Sequence, residues 1–144
     1  MTEHADALAW LNAQSTRGLQ DALGIRVTQL DPTRVVATMP VDERTRQPFG
    51  LLHGGASVAL AETAASLGAF ANIDSTASAA VGIEINANHL RSKRDGTVTA
   101  TATPIHIGRS SHVWAIEIAD EAGRLICVSR CTLAIVPLAA TSHR

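Results

Sequence analysis

The sequence predicts an α+β fold in which one apolar helix sits among about six antiparallel strands. Three observations carry this expectation. Ala56 to Ala71 is apolar or small nearly all the way round, broken chiefly by Glu62, which marks a helix enclosed by the protein rather than one with a single apolar stripe. Four later segments, Ala80 to Arg91, Thr97 to Ile107, His112 to Ala119 and Leu125 to Val136, alternate with period two, as half-buried strands do. The turns between these segments, Arg94-Asp95-Gly96, Gly108 and Glu121-Ala122-Gly123, are short. Short connections make antiparallel neighbours of the strands they join.

Taken in order, residues 3–23 carry Leu8, Leu11, Leu19 and Leu23 at near-helical spacing, with Ser15 as an N-cap between two short helices. From Gly24 to Pro40 the pattern turns to β, with Ile25, Val27, Leu30 and Val35-Val36 around a turn at Asp31-Pro32. A polar loop, Val41 to Gln47, leads through Pro48 to Gly55 into the apolar helix, which ends near Asn72. On the next strand Val81, Ile83, Ile85 and Ala87 share a face; Trp114, Ile116 and Ile118 do so further on, and Leu125, Cys127, Leu133 and Ile135 run in phase. The expected division is 1–23 for the short helices, 24–137 for the main domain and 138–144 for a tail. One face of such a sheet stays apolar, and oligomerisation is the natural way to cover it.

Composition removes several function classes. The 144 residues make one domain, and 46% hydrophobic against 17% charged residues is globular rather than disordered. Lys+Arg 12 against Asp+Glu 13 gives a net charge of -1, and aromatic residues are 3% with no Tyr. There is neither a basic field nor a stacking platform for nucleic acid, and nothing to hold an anionic membrane. The apolar stretch around Glu62 is Ala-rich and interrupted, so no membrane span is expected. The acidic start, Met1 to Asp6, lacks a signal peptide's basic and apolar regions, and a cytoplasmic location is expected. Cys127 and Cys131, four apart on one strand, would have Cα atoms about 13 Å apart, beyond disulfide reach. They read as buried thiols of a reduced compartment.

The chemistry centres on the helix. Glu62 puts a carboxylate on an otherwise apolar element, with Ser66 one turn on along the same face and Thr63 adjacent. Burying that charge is costly without a partner. A functional carboxylate fits the pattern, and so does one that faces water at an edge or pairs with an arginine. His53-Gly54-Gly55 precedes the first turn, where open N–H groups and the helix dipole favour a developing negative charge. A tight turn that merely needs glycine fits equally. Together the two features suggest acyl transfer. Within one chain Glu62 and Gly55 lie about 10 Å apart along the axis, too far for one carbonyl, and a dimer would bring Glu62 of one subunit beside Gly55 of the other. No G-x-S-x-G, H-E-x-x-H, GxGxxG or P-loop pattern occurs, so no serine nucleophile, metal or nucleotide cofactor is expected.

Gln47-Pro48-Phe49-Gly50-Leu51-Leu52-His53-Gly54-Gly55-Ala56-Ser57, followed by Leu60-Ala61-Glu62 and Ser66, resembles the hotdog-fold acyl-CoA thioesterases. The similarity is to the PaaI-type branch, which includes 4-hydroxybenzoyl-CoA thioesterases and the thioesterases of menaquinone synthesis and enterobactin proofreading. It extends over Gly82 to His89, Pro104 to Gly108 and Trp114 to Arg130, and so from Gly24 to about Val136. The resemblance implies Glu62 as nucleophile or general base, Gly55 as oxyanion donor, Gln47 and His53 positioning the thioester carbonyl, and Ser66 placing water or substrate. It implies a path for coenzyme A along Gly82, His89, Arg91, Ser92, His106, Gly108, Arg109 and Ser110, with Lys93 and Arg94 nearby. Without it, the basic run after His89 is an ordinary solvated strand end and His89 a satisfied core histidine. The stretch Arg109-Ser110-Ser111-His112 orders its polar residues differently from some members. Leu67 is expected to shape the acyl pocket.

The resulting expectation is hydrolysis of an aromatic or bulky acyl-CoA, with 1,4-dihydroxy-2-naphthoyl-CoA first and benzoyl-type esters second. No cofactor or metal is needed, coenzyme A being part of the substrate. A homotetramer built as a dimer of dimers is expected. Two alternatives are a proofreading hydrolase acting on misloaded acyl carrier protein and a module that binds acyl-CoA without cleaving it. A passive pocket would not need Glu62. A hotdog dehydratase would need an acid–base set that is not found.

Overall fold

A computed structural model describes residues 3–14 and 17–139. Ser15 and residues 140–144 of the expected tail lie outside the described residues. Helices α1 (Glu3–Gln14) and α2 (Gly18–Ala22) precede strands β1 (Arg26–Asp31) and β2 (Arg34–Pro40). Helix α3 (Gly54–Phe70) follows, then β3 (Ser78–His89), β4 (Thr97–Ile107), β5 (Ser111–Ala119) and β6 (Leu125–Pro137). The strands form a six-stranded sheet in the order β1-β2-β4-β5-β6-β3, and every pairing is antiparallel.

The sheet curls around α3. Ala56, Leu60, Ala61, Ala64, Ala65 and Ala69 on the helix meet Val35, Ala37, Met39, Val98, Ala100, Trp114, Ile116, Cys131 and Leu133 in one core. The helix is built of small residues because the strands come close. A Cβ at Gly68 would lie 2.5 Å from Cη2 of Trp114, a separation no real side chain adopts. Leu8, Leu11 and Leu23 add the N-terminal helices to this core, and Asn12 Nδ2 donates to the Val27 carbonyl at 3.0 Å. Both cysteines are buried and free. No helix among the described residues is long and apolar enough to cross a membrane.

Two expectations are corrected. The segment Arg94-Asp95-Gly96 does not close a hairpin. β3 pairs with β6 at the sheet edge, while β4 lies between β2 and β5. Residues 90–96 form a crossover, stitched by backbone bonds from Leu90 N–H to Ile126 (2.8 Å), from Leu52 N–H to Lys93 (2.7 Å) and from Val41 N–H to Gly96 (2.8 Å). The second correction concerns phase on β3. The register shifts between Gly82 and Glu84, with Gly82 opposite Leu133 and Glu84 opposite Thr132, so Ile83 is the extra residue of a bulge. A bulge reverses which side chains face inward. Ala80, Ile85 and Ala87 pack on the core, whereas Val81 (47%) and Ile83 (64%) are exposed.

Candidate active site

The loop from Val41 to His53 is fixed by its own polar contacts. Thr45 is buried; its Oγ1 donates to the Pro40 carbonyl at 2.8 Å and accepts from Asp42 N–H at 3.1 Å. His53 N–H bonds the Thr45 carbonyl at 2.8 Å. Gly50, with φ +83°, turns the chain so that Gln47 N–H meets the Leu51 carbonyl at 2.8 Å. The Gln47 side-chain oxygen accepts from Phe49 N–H, which leaves its NH2 group as the end that can donate to a ligand.

At the head of α3, His53 is the N-cap, and its Nδ1 accepts from Gly55 N–H at 2.8 Å. The expectation that Gly55 supplies the oxyanion donor is therefore corrected: its N–H is occupied by the imidazole. Ala56 and Ser57 N–H groups turn back to the His53 carbonyl at 3.0 and 3.3 Å. Gly54 N–H makes no hydrogen bond among the described residues. A Cβ at Gly54 would lie 2.8 Å from His89 Nε2, so the glycine lets the imidazole lie close to the helix head. A cavity of about 360 Å³ joins Gln47, Gly54, Ser57, His89, Arg91 and Ser92, within the range of small-ligand sites. Sequence reasoning missed Gly54, because which of two adjacent N–H groups stays open depends on the His53 rotamer.

Glu62 is half-buried about two turns further along α3. It takes part in none of the four ion pairs among the described residues. A Cβ at Gly82 would lie 2.5 Å from Glu62 Oε1, so the carboxylate occupies the space that a side chain at Gly82 would fill. This places Gly82 against the carboxylate. The charge is felt below: burial, then Glu62 and Glu84, push the Cys131 thiol up to about 11. Glu62 and Ser66 share a groove of about 350 Å³ with Leu67 and with Leu19 and Gln20 of α2. The Thr63 hydroxyl is spent on the Ala59 carbonyl at 2.7 Å, while the Ser66 hydroxyl makes no hydrogen bond among the described residues.

The candidate site residues therefore fall into two separate groups. Gly54 and Glu62 are eight residues, or about 12 Å, apart along the helix and line different depressions. The proposed coenzyme A path is also divided. His89 pairs with Cys127, but Gly82 pairs with Leu133, and the β4–β5 turn with Gly108, Arg109 and Ser110 sits at the Leu133 end, where Ile135 N–H bonds the Ser110 carbonyl. His106 lies at that end too, beside Gly108. Along β3 the two clusters are about 20 Å apart. Also missed was His112, buried beside Trp114 on β5 with Nδ1 unpartnered; burial holds its pKa below the usual value. Among the described residues, no three His, Cys, Asp or Glu side chains cluster to hold a metal ion.

A helix sleeved by one antiparallel sheet, with a mid-helix carboxylate and an open N–H at its head, defines the hotdog class of hydrolases that split thioesters. Comparison with known proteins agrees. Residues 49–127 match the thioesterase superfamily. The chain is 63% identical over 118 residues to the ComA2 protein of Bacillus subtilis, covering 82% of this chain and 94% of that one. It is 52% identical over 118 residues to a 1,4-dihydroxy-2-naphthoyl-CoA hydrolase of Listeria monocytogenes, covering 82% and 95%. The crystal structure of a mutant of the thioesterase PA1618 from Pseudomonas aeruginosa superimposes with a TM-score of 0.88 at 49% identity, over 91% of this chain and 94% of that one. The chain belongs to the thioesterase superfamily, and its enzymatic class is thioester hydrolase.

Proposed function

We propose that this thioesterase hydrolyses acyl-CoA esters with an aromatic or otherwise bulky acyl group, at sites completed between two copies of the chain. The observation that carries this is Glu62: a carboxylate on an apolar helix, without an ion pair among the described residues, seated over a glycine in a groove. Such a group is costly to keep unless it acts. Acting as base, Glu62 takes a proton from water as the water oxygen bonds to the thioester carbon. The carbonyl oxygen becomes an oxyanion that receives hydrogen bonds from Gly54 N–H and the Gln47 amide. The C–S bond then breaks, the sulfur takes the proton, and free acid and coenzyme A leave. Acting as nucleophile, Glu62 bonds the acyl carbon as the C–S bond breaks and the coenzyme A thiolate leaves; water then splits the mixed anhydride into free acid and the Glu62 carboxyl, which gives its proton to the thiolate.

Joining Gly54 to Glu62 requires a second copy. β3 is an edge strand and displays Val81 and Ile83 beside the Glu62–Gly82 contact. Exposed apolar side chains on a free edge favour pairing. Two-fold apposition of β3 edges sets Glu62 of one subunit toward Gly54 of the other and brings the Arg109–Ser110 turn toward the partner's basic run after His89. A dimer of such dimers is the proposed assembly. Arg91 and Ser92 beside Gln47 suit the phosphates of coenzyme A. The name of the Listeria relative supports 1,4-dihydroxy-2-naphthoyl-CoA as the first acyl group to try and benzoyl-type esters as the second.

The test is thiol release from acyl-CoAs by wild type and Glu62→Gln. The variant should keep its melting temperature and lose at least ~10²-fold in kcat, the scale of a positioned acid or base. An undiminished rate would remove Glu62 from the mechanism. Cleavage of acyl carrier protein esters with none of CoA esters would move the substrate to a carrier protein.

A further inference from the structure

The groove that holds Glu62 has a wall the reaction itself does not use. One side is α3, with Ala59, Glu62, Ser66 and Leu67; the other is α2, with Leu19 and Gln20. Leu19 is 65% exposed and also borders the neighbouring depression of His53, Gly55 and Ala59. The two depressions thus form one trough along the outer face of α3, roofed by α2. Because Glu62 is where the thioester carbon must sit, whatever the carbon carries extends along this trough.

α2 is firmly held. The Gln20 carbonyl accepts from Ile25 N–H at 2.9 Å and the Asp21 carbonyl from Gly24 N–H at 3.0 Å, while Leu23 packs on the core. Gly24, at φ +71°, makes the turn into β1. The Gln20 side chain is therefore carried on a fixed backbone. Its Nε2 is buried and has no hydrogen-bond partner among the described residues, so turning the amide into the groove it lines breaks no hydrogen bond. A primary amide presents both a donor and an acceptor, and a hydroxyl group can answer both. Of the two hydroxyls on this face of α3, Thr63 is satisfied by its own helix, and Ser66 lies one turn beyond Glu62 on the helix side of the groove, across from Gln20. Residues 49–127, which match the superfamily, contain Gly54 and Glu62 but not α2. The groups for bond cleavage lie on the shared part of the chain and this wall lies outside it.

We propose that Gln20 is a specificity-determining residue, whose amide engages a hydroxyl on the acyl group while Leu19 covers the apolar body. This rests on the reading of Glu62 as the group that meets the thioester carbon. The groove, about 350 Å³, falls within the size range of small-ligand sites.

The experiment compares kcat/KM for benzoyl-CoA with those for 2-, 3- and 4-hydroxybenzoyl-CoA, in wild type, Gln20→Leu and Leu19→Ala. A site that hydrogen-bonds a substrate hydroxyl discriminates against the analogue lacking it. Gln20→Leu should lower the hydroxybenzoyl-to-benzoyl ratio for at least one isomer by about tenfold or more, since its paired polar contact is gone. Leu19→Ala should lower all esters together and leave the ratios standing. Unchanged ratios in Gln20→Leu, or a parallel loss on every ester, overturn the proposal while the Glu62 reading stands. Wild type that releases thiol from none of the esters overturns both.

Discussion

Glu62 and Gly82 work as a pair at the scale of single residues. The carboxylate has room only because residue 82 has no side chain. The obstructing atom is the end of a flexible side chain, so Gly82→Ala should fold with a melting temperature close to wild type. The methyl would nevertheless push the carboxylate aside, and misplacement by about 1 Å costs on the order of 10²-fold in rate. A 10- to 100-fold fall in kcat with unchanged thermal melting is the expected outcome; an unaltered kcat would show that the carboxylate's position over Gly82 is immaterial. His53 is a second residue-scale lesson. The sequence places an imidazole and two glycines at the helix head, but only the Nδ1–Gly55 bond shows that Gly54 keeps the open N–H.

At the scale of elements, α3 and the phases of β5 and β6 were legible because apolar pattern and burial agree there. Trp114, Ile116 and Ile118 point inward as their spacing implies. β3 was less legible. Its alternation looks continuous from Val81 to Ala87, yet the bulge at Ile83 turns Val81 outward and Gly82 inward, and one inserted residue leaves no mark in a period-two pattern. The crossover after β3 was read as a hairpin because turn residues such as Asp95-Gly96 serve both. What decides it is long-range pairing of β3 with β6, which local sequence does not encode. The α3 packing gives its own prediction. Gly68 lies against the Trp114 ring, so Gly68→Val should destabilise by about 1–3 kcal/mol, as overpacked cores do. Chemical denaturation checks this, and a variant as stable as wild type would mean the ring can move away.

For the molecule as a whole, one surface contact ties the crossover to the β5–β6 turn. Glu121 Oε2 accepts from Lys93 Nζ at 2.7 Å, and its Oε1 accepts from Thr97 N–H. The hydrogen bond from Lys93, then that from Thr97, lowers the Glu121 pKa from 4.5 to about 2. A carboxyl held low in the folded state contributes stability above its unfolded pKa and loses it as pH falls toward the folded value. Wild type should therefore be more stable than Glu121→Gln at pH 7, with the gap narrowing below pH 4.5 as the pH approaches 2. Denaturation midpoints from pH 7 down to the acid limit of folding check this; a gap that did not narrow would place the effect elsewhere.

The whole-molecule question is how the two half-sites meet. A mixed dimer of one Glu62→Gln subunit and one Gln47→Ala subunit, purified by two different tags, answers it most directly. If each site takes Glu62 from one copy and Gln47 with Gly54 from the other, the mixed dimer holds one intact site, and thiol release should return to about half the wild-type rate per dimer, far above either parent variant. A mixed dimer as inactive as its parents would mean that both halves of each site come from the same subunit, and the shared-site account would be wrong.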